Sequence, residues 1–188
     1  MRMRRLVCAV ALAAAVVACS EPPTKERDQA QGALEAARTA GAAAYAPAEL
    51  RAAEKALAGY EAAVGQRDYR LALSLAIDAR ESAYAAARRA TDEKVRSRAE
   101  AQQLIAAVQE GVTAIEQRLN GKSGPRPTRP VAARLAATLK TSTAALQKAR
   151  SRLAAEDYRS VVAVLTPVRE ALDGDLAAAS SGRGRTGP

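Results

Sequence analysis

The chain is expected to fold as an all-α protein, built from antiparallel helical hairpins and three-helix bundles in two tandem related units that share a long helix. Three observations lead there. Alanine dominates the composition, and it is the best helix former. Apolar residues recur at steps of three and four, as on one face of a helix. A slide of the chain by 89 residues lays Leu50, Leu57, Asp68, Tyr69 and Arg70 on Leu139, Leu146, Asp157, Tyr158 and Arg159.

The N-terminus reads as an address. Met1 to Arg5 carries three arginines, and an apolar run follows from Leu6 to Ala18. That run is shorter than the about 20 residues a spanning helix needs. A basic start and a short apolar stretch ending in small residues make a secretory signal peptide over 1–18. Its end, Val16-Val17-Ala18-Cys19, resembles the lipobox of bacterial lipoproteins: an aliphatic residue, a tolerant position, a small residue, then cysteine. The resemblance implies cleavage before Cys19 and acylation of that cysteine, with several acyl chains holding the protein firmly to a membrane. Ser20 resembles the outer-membrane pattern of such proteins, which implies the periplasmic face of the outer membrane. Cys8 lies inside the leader.

Residues 19–27, with Pro22, Pro23 and several charges, are expected to be an extended tether. A helix is expected from Asp28 to about Ala44, broken by Tyr45-Ala46-Pro47. Proline suits the first turn of a second helix from Pro47, where Leu50, Leu57 and Val64 recur every seven residues. Gly65-Gln66-Arg67 ends it, and Asp68 caps a third.

That third helix meets no proline up to Asn120, with Tyr69, Ala72, Ala76, Ala79, Ala83 and Ala86 on one stripe and Ala101, Ile105, Val108, Val112, Ile115 and Leu119 on another. Residues 91–100 between them are polar. They form either an exposed helical connector or a break. Residues 121–130, rich in Gly and Pro, are a loop. A fourth helix follows with Leu135, Leu139, Leu146 and Leu153 on one face. Asp157 caps a fifth, along which Tyr158, Val161, Leu165, Val168, Leu172 and Leu176 recur, and Pro167 should kink it. Residues 179–188 are expected to be a disordered tail.

The repeat divides the chain into an N-terminal helical unit, 28–90, and a C-terminal one, 101–178. In each hairpin, 47–90 and 131–178, the aspartate (Asp68, Asp157) caps the second helix, and the tyrosine (Tyr69, Tyr158) packs against the end of the first.

The first hairpin carries Ala46-Pro47-Ala48-Glu49-Leu50 and then Arg67-Asp68-Tyr69. It resembles the helical domain of unknown function found in Gram-negative lipoproteins, whose pattern is an Ala-Pro-x-x-Leu helix start and a Gly-Asp-Tyr turn. The resemblance covers roughly residues 28–90 and departs at Arg67, where glycine is common. It implies a lipoprotein with no established catalytic residues. Some relatives carry a C-terminal peptidoglycan-binding domain. None is read within this chain, so that activity is not carried over.

Composition narrows the function. Histidine is absent, which removes the usual general base and the commonest transition-metal ligand. Beyond the leader Cys19 is the only cysteine, and no glycine-rich phosphate loop is present. The carboxylates lie among lysines and arginines, as ion-paired helix faces do. An enzyme, a metal site and a cofactor are therefore not expected.

The net charge of +9 is local. Residues 118–159 hold ten basic side chains against Glu156 and Asp157, while the segments on either side are near neutral. Within that segment Lys122, Arg126 and Arg129 lie in the loop. Arg134, Lys148 and Arg152 lie off the leucine face of the fourth helix and are expected to face water. These six are the candidate anion- or partner-binding residues. The export address argues against nucleic acid, leaving an anionic envelope component or an acidic protein. The expected function is a non-enzymatic helical interaction or envelope-organising module. The alternative is a periplasmic carrier or chaperone for an apolar or lipidic ligand held between the helices.

Overall fold

The computed structural model describes residues 21–124 and 126–181. The leader, Cys19 and residues 182–188 lie outside the described residues. The fold is all-α: α1 (Thr24–Thr39), α2 (Ala42–Tyr45), α3 (Pro47–Gly65), α4 (Tyr69–Leu119), α5 (Arg129–Ala154) and α6 (Tyr158–Ser181), with no strand among the described residues. The chain divides into two units whose boundary falls inside α4, between Glu93 and Lys94.

Four element boundaries depart from the sequence expectation. The tether is shorter, because α1 begins at Thr24 directly after Pro23. Glu26 lies in its first turn, where the helix dipole favours an acid, and Arg27 pairs with Asp28 at 2.7 Å. The stretch from Asp28 to Ala44 is not one helix. Gly41 takes a left-handed φ of 87°, which glycine adopts without a Cβ clash, so α1 stops and the short α2 starts in a new direction. Arg129 and Pro130 belong to α5 rather than to the loop, with proline in the first turn. The expected tail begins later, because α6 continues to Ser181 and runs through Pro167.

In the N-terminal unit α1 and α3 run antiparallel, joined by Arg38 to Glu54 at 2.9 Å. The first half of α4 runs back along α3 and is tied to it by Arg89 to Glu49 at 2.7 Å. Arg80 donates to Gln29 of α1 at 2.7 Å. The core is made of small side chains: Ala30, Ala33 and Ala37 of α1, Ala53 and Ala63 of α3, and Ala72, Ala76, Ala79, Ala83, Ala86 and Ala90 of α4, with Leu34, Leu50 and Tyr60 among them. Methyl-sized contacts let helix backbones come close, but each buries little area.

The C-terminal unit packs larger residues. Val108 and Ile115 of α4 meet Leu135 and Leu146 of α5 and Val161, Leu165 and Leu172 of α6. Each buried leucine contributes about 1.5–3 kcal/mol. Gly111 makes room here, since a Cβ in its place would stand 3.1 Å from Leu172 Cδ1. The helix α4 is unbroken through residues 91–100, where most side chains are exposed and Val95 is 64% exposed. No proline or other breaker interrupts its backbone ladder there.

The two hairpin turns have the same backbone. Arg67 and Glu156, 89 residues apart, both take φ 58°. The Asp68 and Asp157 amides donate six-to-one to Ala63 O (2.9 Å) and Arg152 O (3.0 Å). The Asp68 carboxylate accepts from the Leu71 amide at 3.0 Å, and the Asp157 carboxylate from the Ser160 amide at 3.3 Å. These are N-cap bonds to the third helical residue. Tyr69 is half-buried, and Tyr158 is buried.

Candidate functional site

Helix α5 supplies most of the basic segment. Across 26 residues it carries Arg129, Arg134, Lys140, Lys148, Arg150 and Arg152 and no carboxylate. Leu135, Leu146 and Ala149 turn one face into the core, so the charges spread over the rest of the helix surface. Arg129 and Lys148 are separated by nearly 19 residues, about 28 Å along the axis. The six predicted residues therefore do not converge on a single point. They line one helix and the loop before it.

Two of the six are occupied inside the unit. Arg134 was expected to face water. Its side chain is largely exposed, yet its Nε reaches the Asp175 carboxylate at 2.5 Å, and that carboxylate is only 6% exposed. Thr138 Oγ1 donates to the other carboxylate oxygen at 2.5 Å. A buried carboxylate needs a cation and a hydrogen bond, and α5 provides both one turn apart. Arg152 is half-buried and pairs with Asp157 at 3.1 Å. The Ser160 hydrogen bond holds the Asp157 carboxyl below its usual range, and Arg152 adds to the effect. Lys122, Arg126, Arg129 and Lys148 are exposed and have no ion-pair partner among the described residues, and the same holds for Lys140 and Arg150.

Sequence reasoning missed three polar features of this unit. Arg118 donates to Ser123 O at 3.0 Å and to Ala179 O at 3.1 Å, fastening the loop to the end of α6, where a helix carries partial negative charge. Asp175 stands on the apolar stripe of α6 at the step between Leu172 and Leu176. Ser142 stands in the gap of the leucine ladder of α5, 1% exposed, its Oγ without a hydrogen-bond partner. Polar residues at stripe positions were the signal for the last two. Lys94 reaches Glu156 at 2.7 Å and holds its carboxyl below the usual range.

Two open hollows lie on this unit, each lined by both polar and apolar groups. One of about 240 Å³ lies between α4 and α5, lined by Gln109, Thr113, Glu116, Thr143, Gln147 and Arg150 over Val112 and Leu146. Another, of about 500 Å³, lies on α4 over Ala106, Gln109, Glu110, Thr113, Ala114 and Gln117. Among the described residues no group of three or more acidic or cysteine side chains could hold a metal, and no helix is long and apolar enough to cross a membrane. Comparison with protein-family models, curated proteins and solved structures finds no match to this chain.

Proposed function

We propose that the chain is an exported lipoprotein, acylated at Cys19 and held at the periplasmic face of the outer membrane, that acts as a non-enzymatic module binding an anionic envelope component through α5 and the loop before it. The observation carrying the binding role is the acid-free helix α5, whose exposed Arg129, Lys140, Lys148 and Arg150 have no ion-pair partner among the described residues. The anchor rests on the basic start, the short apolar run and the Val-Val-Ala-Cys end of the leader. The hollow between α4 and α5 is lined mainly by polar groups and offers little to an apolar ligand. The matching turns at Asp68 and Asp157 favour two copies of one hairpin plan.

The anchor is tested in cells. Wild type is expected to incorporate labelled palmitate and Cys19→Ser is not, with its leader left uncut. Equal labelling of the two would overturn the lipid anchor.

The basic surface is tested by reversing Arg126, Arg129, Lys140 and Lys148 to glutamate, none of which faces the core. The leaderless protein is expected to sediment at low salt with at least one of anionic vesicles, lipopolysaccharide and peptidoglycan sacculi. The reversed variant should stay in solution. Binding should weaken as salt rises, because exposed charges are screened beyond about 8–10 Å at physiological ionic strength. Identical behaviour of both proteins in all three assays would remove α5 as the binding surface.

A further inference from the structure

Four large apolar side chains, Leu71, Leu73, Tyr84 and Val95, are markedly exposed, and two of them flank the buried Ala72 on opposite sides of the start of α4. Leu71 is 46% exposed and Leu73 39%. Beside them Arg67 and Arg70 point into solvent with no carboxylate partner among the described residues. This is interfacial chemistry, with apolar bodies flanked by long cationic side chains.

The corner lies at the tether end of the N-terminal unit. Arg27 lies within electrostatic reach of Glu61, so the start of α1 lies beside the end of α3. Gln29 meets Arg80, which puts the first residues of α4 roughly 5–10 Å beyond the first residue of α1 along the helix direction. Thr24 follows Cys19 by only five positions, a span of at most about 17 Å. An acyl chain on Cys19 would hold this corner, rather than the opposite end of the unit, within reach of the lipid.

The second turn is a control inside the same molecule. Its backbone is the same, but its outward residues differ. Arg67 is matched by Glu156, which is paired with Lys94, and Leu71 is matched by Ser160. The first turn carries a free cation and a leucine where the second carries a paired acid and a serine, while Arg70 and Leu73 have like counterparts in Arg159 and Val162. Arg67 also sits in the left-handed region, at a cost of about 1–2 kcal/mol that glycine would avoid.

We propose that the corner from Gln66 to Leu73 seats the N-terminal unit end-on on the phospholipid surface, with Leu71 and Leu73 reaching the headgroup–acyl boundary on either side of the helix start and Arg67 and Arg70 meeting lipid phosphates. This rests on the lipid-anchor reading. The tether raises the local concentration of the corner at the surface, so a small apolar contact is enough to hold it.

The chain has no tryptophan, so one introduced residue reports alone. The chain from Cys19 onward has a single thiol, which couples to maleimide lipids in phosphatidylethanolamine–phosphatidylglycerol vesicles containing brominated acyl chains. Leu71→Trp and Leu73→Trp are expected to shift to the blue and be quenched by bromine. Arg88→Trp, exposed near the far end of the unit, should keep its emission. Leu71→Ser added to Leu73→Trp should reduce the quenching. Helicity by circular dichroism checks each variant, and the two corner positions report independently. Unquenched emission at both, or equal quenching at residue 88, would overturn the seating. Because the coupling is chemical, the result does not depend on lipidation in cells. Loss of palmitate labelling would strike the anchor reading, and loss of quenching would strike the seating.

Discussion

Arg134→Ala is expected to destabilise the C-terminal unit by about 3 kcal/mol, although its side chain is 70% exposed. The effect arises at its partner. Asp175 lies on the apolar stripe of α6, almost out of water, with Arg134 as its ion-pair partner and Thr138 as its hydrogen-bond donor among the described residues. Without the guanidinium, a buried carboxylate keeps one hydroxyl donor and no counter-charge. The figure sits at the lower end of the range for broken buried pairs because Arg134 itself gives up little hydration. Asp175→Leu should be close to neutral, since replacing the whole interaction by apolar packing leaves no buried charge. Urea unfolding followed by circular dichroism checks both. An Arg134→Ala midpoint equal to wild type would show that Asp175 does not need its cation.

Leu165→Ala is expected to cost about 3–4 kcal/mol. Leu165 is fully buried among Val161, Leu172 and the facing residues of α4 and α5, and its removal leaves a cavity that rigid helices fill only in part. The residue 89 positions earlier is Ala76, equally buried in the N-terminal unit. There the reverse exchange, Ala76→Leu, should destabilise by about 2 kcal/mol, because close helix packing has no room for three more carbons. If both variants unfold at the wild-type denaturant concentration, the two units do not differ in how tightly their helices pack.

The helices were legible because their apolar residues keep a helical period. Ala72 to Ala86 and Ile105 to Leu119 mark two buried stripes of α4, and both are buried or half-buried as the period requires. The unbroken course of α4 through 91–100 was left open, since polar residues fit both a helix and a break. Gly41 was overlooked within an alanine run, although a glycine there supplies the left-handed residue that ends α1. The site was less legible. Six cations read as one solvated set, but Arg134 and Arg152 belong to partners on or near α6. Those pairings depend on how α5 and α6 lie in register, which no periodicity in α5 alone encodes. The exposure of Leu71 and Leu73 was equally hidden, because the leucine and alanine runs of α4 do not show which side lacks a neighbour.

The turns from Gln66 to Asp68 and from Ala155 to Asp157 join long antiparallel helices through three residues each. Closing so short a loop costs little chain entropy, so each helix pair can zip from its own turn before contacts more distant in sequence form. On the export route proposed above, the chain leaves its translocation pore from the N-terminus onward. The first pair could close while the second is still unfolded inside the pore, and the left-handed residue at each turn would be set early. Folding in step with emergence limits the time that the leucine faces of α5 and α6 spend uncovered in a crowded compartment.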